Sequence, residues 1–107
     1  MSKIFNNQNF QTEVLENSHK KLVVVDFYAD WCAPCRMLAP IIEEVEKEIG
    51  DKIIIRKLNI EDNNEIASKY NVMSIPAILF FKNGEVIESL IGLQSKENII
   101  NTIKKYI

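Results

Sequence analysis

The sequence predicts an α/β fold, a mixed β-sheet with helices on both faces. Three observations carry this. Segments of strand and helix character alternate along the whole chain of 107 residues. One of them, Leu22 to Tyr28, is apolar on both strand faces except at Asp26, the pattern of a central strand covered from both sides. Two βαβ passes are then followed by a hairpin and a helix, an order that combines parallel with antiparallel pairing. Written out, β-α-β-α-β-α-β-β-α gives a central mixed sheet of five strands flanked by four helices.

The first strand, near Lys3 to Asn6, has the weakest pattern. Asn7 can cap a helix from Gln8 to Glu16 that turns Phe10, Val14 and Leu15 inward. After the central strand, Pro34 to Ile49 forms the longest helix, with Met37, Leu38, Ile41, Ile42, Val45 and Ile49 as its apolar stripe and glutamates opposite. Pro40 removes one backbone donor inside it, and Gly50 is its stop signal. Ile53 to Leu58 is a strand and Asn63 to Tyr70 a short helix. Ala77 to Lys82, Asn83-Gly84, and Glu85 to Ile91 read as a hairpin with a tight turn. Ser95 opens the last helix, with Ile99, Ile100, Ile103 and Ile107 facing inward.

The length suits one domain, residues 1–107, with no repeat, linker or low-complexity segment. Apolar residues are 47% and charged residues 26% of the chain, enough for a core without metals or several disulfides. A net charge of −2 offers no general attraction to nucleic acid or anionic lipid. The start of the chain has one cation and no apolar stretch behind it, so no secretory signal is expected. The longest apolar run, Ala77 to Phe81, has strand length, far below a membrane span. The expected compartment is the cytosol. Richness in Ile, Asn and Lys points to an AT-rich, bacterial genome.

Cysteines three apart in such a chain suggest redox or metal chemistry before a staple. Cys32 and Cys35 sit where the central strand hands over to the long helix. Free N–H groups and the macrodipole at a helix N-terminus favour an anion, so the Cys32 thiol should ionise below the free value of about 8.5. Its thiolate attacks a disulfide. Cys35, almost a turn later and deeper against the sheet, attacks second and closes the internal disulfide. Pro34 fits the first helical turn, where its missing N–H loses no partner. A zinc site would need four ligands. The chain has two cysteines and one histidine, His19, which reads as a solvated loop residue. A structural disulfide closing so short a loop would gain little.

The run Asp26-Phe27-Tyr28-Ala29-Asp30-Trp31-Cys32-Ala33-Pro34-Cys35-Arg36 resembles the active-site segment of the thioredoxin family. The resemblance extends over nearly the whole chain: Pro40, Lys57-Leu58-Asn59-Ile60, Ile75-Pro76, Phe81-Lys82-Asn83-Gly84 and Gly92 stand where that family has its helix proline, third strand and exit, cis-proline loop, hairpin turn and late glycine. It implies the thioredoxin fold and a protein-disulfide reductase that carries electrons and maintains cell redox homeostasis. It implies no bound cofactor and no metal, only the redox-active Cys32–Cys35 couple. The partners implied are thioredoxin reductase and disulfide-containing targets such as reductases and peroxiredoxins, with no nucleic acid, no membrane and a monomeric chain. Cys32 is then the nucleophile, Cys35 the resolving thiol, and Pro34 a residue that tunes the potential. The family's substrate surface falls on Trp31, Ala33, Ile60, Ile75, Pro76, Gly92 and Leu93.

This chain departs from the family at Ala33, usually glycine, at Tyr28, commonly tryptophan, at Arg36, commonly lysine, and at Ala77, commonly threonine. Alanine favours a helix over glycine by about 1 kcal/mol, which can move the potential by roughly 20 mV at most. Asp26 is the odd residue of a buried strand. An unpaired buried carboxylate is costly, so its pKa should rise or it should have a partner, and Lys57 on the neighbouring strand is the candidate. The resemblance makes Asp26 the proton acceptor that helps deprotonate Cys35. Two other functions fit the same fold. An oxidant or isomerase needs a more oxidising couple and a secretory address, and a scaffold subunit has no need of both cysteines, Asp26 and Pro34.

Overall fold

The structure, a computed structural model, describes residues 4–107. Its sheet has the order β2-β1-β3-β4, with β1 Leu22–Tyr28, β2 Ile53–Asn59, β3 Ala77–Lys82 and β4 Glu85–Ile91. β1 runs parallel to β2 and antiparallel to β3, and β3 pairs antiparallel with β4. The α-helices are α1 Ala33–Ile49, α2 Asn64–Lys69 and α3 Lys96–Lys104. This is the α/β fold expected, with four strands in place of five.

The missing strand has a local cause. Among the described residues it shrinks to one parallel bridge from Phe5 to Leu58, in which the Phe5 N–H donates to the Lys57 carbonyl at 2.9 Å. The next donor, the Asn6 N–H, goes to Asn9 Oδ1 at 2.8 Å, and the Asn9 N–H returns to Asn6 Oδ1 at 2.8 Å. That reciprocal turn leads the chain off the sheet edge. Lys3, the start of the expected strand, lies outside the described residues.

The N-terminal helix is wound as a π-helix over Gln11–Glu16 and tightens to a 3₁₀ turn over Asn17–His19. Phe10 and Val14 are buried and Leu15 is half-buried, as the pattern predicts. Asn7 is not its cap. Asn7 Oδ1 accepts the Ile66 N–H of α2 at 3.3 Å, while its own N–H donates to Asn63 Oδ1 at 2.9 Å. The Asn63 side chain also donates to the Asn59 carbonyl at 3.0 Å. One asparagine thus satisfies a first-turn donor of another helix.

The sheet separates two apolar layers. Val23, Val25 and Phe27, with Phe81 beside them on the sheet, pack against Phe10, Val14 and Ile66, and the rings of Phe10, Tyr70 and Phe81 meet tilted or edge to face with centroids 5.2 to 5.6 Å apart. Leu22 and Val24 face Leu38, Ile42 and Val45 of α1 and Ile99, Ile100 and Ile103 of α3. Asp26 continues this second face, because strand side chains alternate.

Two expected core residues lie outside. Met37 is 59% exposed, being about 100° around the helix from Leu38 and therefore off the arc of Cys35, Leu38, Ile42 and Val45. Ile107 is exposed because α3 ends at Lys104. Ser95 caps α3 by accepting the Asn98 N–H at 3.0 Å. The hairpin has the bounds predicted, and its turn residues Asn83 and Gly84 have φ of 55° and 81°, as a two-residue turn matched to strand twist requires. No helix among the described residues is long and apolar enough to cross a membrane.

Candidate active site

β1 ends at Tyr28, and four residues later Cys32 becomes the N-cap of α1. Its extended backbone, φ −87° and ψ 109°, turns the side chain back over the first helical turn. There Sγ accepts the Cys35 N–H at 3.2 Å. Pro34 sits exposed in that turn, where no donor is required of it. Ala33 is the first helical residue and is exposed.

Cys32 and Cys35 are joined in a disulfide, with Cα atoms 5.2 Å apart. Residue burial barely separates them, at 5% and 3% exposure. Position separates them better. Cys35 lies on the inward stripe of α1 with Leu38 and Ile42, whereas Cys32 Sγ lies 3.9 Å from the Ile75 carbonyl oxygen at the rim. The pair packs in a small buried cluster with Ala29, edged by Tyr28, Ile60 and Ile75. The Ile60 N–H bonds the Tyr28 carbonyl at 2.9 Å, which fixes that side of the cluster. Ile75 and the buried Pro76 are joined by a cis peptide bond.

The other expected surface residues stand around this cluster. Trp31 is 64% exposed and Leu93 45% exposed. Gly92 is half-buried, has φ 88° and donates its N–H to the Pro76 carbonyl at 2.8 Å, which draws the end of β4 against the Ile75–Pro76 loop. Leu93 is brought there through Gly92 and does not pack in the buried cluster. The sequence reading missed Met73, 85% exposed and two residues before Ile75. A methionine beside a proline loop was its only signal, and such side chains suit adaptable surfaces. It also missed Ala29, fully buried against both cysteines.

Asp26 is 1% exposed, and neither carboxyl oxygen has a hydrogen-bond partner. Burial pushes its pKa up from 3.8 to about 7, against a smaller downward pull from the Lys57 charge. Asp26 and Lys57 are register partners on β1 and β2, yet they form no ion pair. The Lys57 ammonium instead lies over the Tyr28 ring, 4.7 Å from its centroid, a favourable seat for a cation. The expected pairing therefore reduces to an influence through space. A cavity of about 190 Å³ is lined by Tyr28, Asp30, Cys35, Arg36 and Lys57 among others. Among the described residues no group of three or more His, Cys, Asp or Glu could hold a metal ion.

A disulfide set at a helix N-terminus and rimmed by exposed apolar side chains is built to exchange with thiols of another molecule, so fold and site together define a thiol–disulfide oxidoreductase. The family model described as Thioredoxin matches residues 1–105. A thioredoxin of Rickettsia typhi is 48% identical over 99 residues, covering 92% of each chain. A thioredoxin of Bacillus subtilis is 43% identical over 100 residues, 94% of this chain and 92% of that one. A thioredoxin of Listeria monocytogenes is 41% identical over the full length of both. The chain belongs to the thioredoxin family. Its activity is the reduction of protein disulfides by the Cys32–Cys35 couple, and it interacts with disulfide-containing targets and a reductase.

Proposed function

We propose that Cys32 is the attacking thiolate and Cys35 the resolving one. In the reduced protein the Cys32 thiolate attacks one sulfur of a target disulfide. A Cys32–target disulfide forms, and the other target sulfur leaves as a thiolate. Cys35 then gives its proton to the Asp26 carboxylate and attacks Cys32 Sγ. The mixed disulfide breaks, the second target thiolate leaves, and the Cys32–Cys35 disulfide closes. Two electrons have passed to the target, and a thioredoxin reductase returns them.

The observation that carries this assignment is the bond from the Cys35 N–H to Cys32 Sγ at 3.2 Å. It leaves Cys32 as the sulfur on which a helix N-terminus places positive potential. Lys57, held on Tyr28, keeps Asp26 more acidic than burial alone would leave it. Pro34 tunes the potential by stiffening the first turn. Trp31, Ala33, Ile60, Ile75, Pro76, Gly92 and Leu93 receive the target, with Met73 extending that surface. The protein works as a single-domain monomer in the cytosol on targets such as reductases and peroxiredoxins.

Trapping tests the order of events. Reduced Cys35→Ser should accumulate a mixed disulfide with a protein disulfide, and Cys32→Ser should not. Trapping by Cys32→Ser alone would reverse the assignment. Asp26→Asn should slow release of the reduced target at least tenfold in stopped flow at pH 7, since general bases contribute roughly 10² to 10⁴. An unchanged release rate would remove Asp26 from the mechanism.

A further inference from the structure

We propose that the pole of the molecule opposite the dithiol binds a small, multiply charged phosphate compound. β1 separates the two sites. It has seven residues, so its ends lie about 20 Å apart. Tyr28 leads to Cys32, while Leu22 at the other end pairs with Ile53 and lies beside the end of β3. A cavity of about 210 Å³ opens there, lined by His19, Lys20, Lys21, Lys52 and Lys82 together with Ser18, Leu22, Asn83, Tyr106 and Ile107. The chain as a whole carries a net charge of −2, so this gathering of cations is local.

Elsewhere Arg56 pairs with Glu46, Lys96 with Glu44 and Glu48, and Lys105 with Glu88. Among the described residues, Lys20, Lys21, Lys52 and Lys82 have no carboxylate partner. Glu85 lies opposite Lys82 across the hairpin and forms no ion pair with it.

The walls are also fixed before any ligand arrives. The Ser18 carbonyl accepts the Asn83 N–H at 2.8 Å and Ser18 Oγ accepts the Gly84 N–H at 2.7 Å. These bonds tie the segment bearing His19, Lys20 and Lys21 to the turn that follows Lys82. Lys21 Nζ donates to the Asp51 carbonyl and Lys82 Nζ to the Tyr106 carbonyl at 3.1 Å. An ammonium has three N–H donors, so both keep donors for an anion. Four ammonium groups held in no ion pair among the described residues, around a pocket of this size, suit a diphosphate or triphosphate group better than a single carboxylate. A nucleic-acid strand would need a basic track, and the charge here is confined to one pocket.

The test is an amide NMR titration of the oxidised full chain with inorganic pyrophosphate at constant ionic strength. Saturable shifts should appear at Ser18–Leu22, Lys52 and Lys82–Gly84, and none at Trp31–Cys35. The double variant Lys20→Gln, Lys52→Gln removes two cations whose ammonium groups have no bonding partner among the described residues. It should weaken binding roughly tenfold or more, leaving the melting temperature and disulfide-reductase activity unchanged. Failure to saturate, equal affinity in the double variant, or the same shifts from chloride would each overturn the proposal. Binding to phosphatidylglycerol vesicles without binding to pyrophosphate would overturn it in favour of a membrane surface.

Discussion

Replacing Asp26 by asparagine should stabilise the oxidised protein, and the gain should depend on pH. The buried carboxyl ionises at about 7 in the folded chain against 3.8 ordinarily. The folded state therefore holds its proton where the unfolded chain has lost it, and stability falls as pH rises from about 4 to about 7. Fully ionised, such a group costs the fold about 4 kcal/mol. Asparagine keeps the volume and, like the protonated acid, leaves its polar atoms unpartnered, so the two proteins should be nearly equal at pH 3.5. At pH 8 the variant should lead by roughly 4 kcal/mol, which moves the guanidinium midpoint by about 1 M. Equilibrium unfolding of both proteins at four or five pH values, without reductant, measures the difference. A gain that stays constant across the range, or no gain at pH 8, would refute the claim that an unpartnered buried charge is the cause.

Two further outcomes are expected. Ala33→Gly should shift the dithiol midpoint, followed by Trp31 fluorescence in buffers of defined thiol/disulfide ratio, by less than roughly 20 mV; a larger shift would show that residue 33 acts on the couple by more than helix propensity. Asn7→Ala should remove the acceptor for the Ile66 N–H while keeping the backbone N–H that bonds Asn63 Oδ1, costing about 1 kcal/mol and lowering the melting temperature by about 4 to 8 °C, with the redox midpoint unchanged. An unaltered melting temperature would mean that water replaces the cap without loss.

What the sequence disclosed follows how local each cause is. The bounds of β1 and of the β3–β4 hairpin rest on unbroken apolar runs and on Asn83-Gly84, and both stand in the structure as read. The dithiol was legible because spacing and the strand-to-helix junction are both local. The shortened first strand depends on a four-residue exchange of amides between Asn6 and Asn9, which no periodicity reveals. Asn7 has the composition of a cap, but the helix that it serves is distant in the chain. The pairing of Asp26 with Lys57 was right in register and wrong in contact, since register follows from topology while the lysine's direction depends on the ring at Tyr28. Met73 lacked a pattern altogether, because a single exposed side chain has no period.

The seat of Lys57 on Tyr28 has one more consequence. A lysine bonded to Asp26 would hold that carboxyl ionised at every physiological pH, a fixed charge under the sheet. Held on an aromatic face instead, the ammonium is felt by Asp26 without bonding it, and the acid rests near its midpoint at neutral pH. At that point a proton enters or leaves with the least change in free energy. The interior of this small protein thereby contains a buffer of one group, whose set point is raised by burial and trimmed by a cation that a surface ring retains.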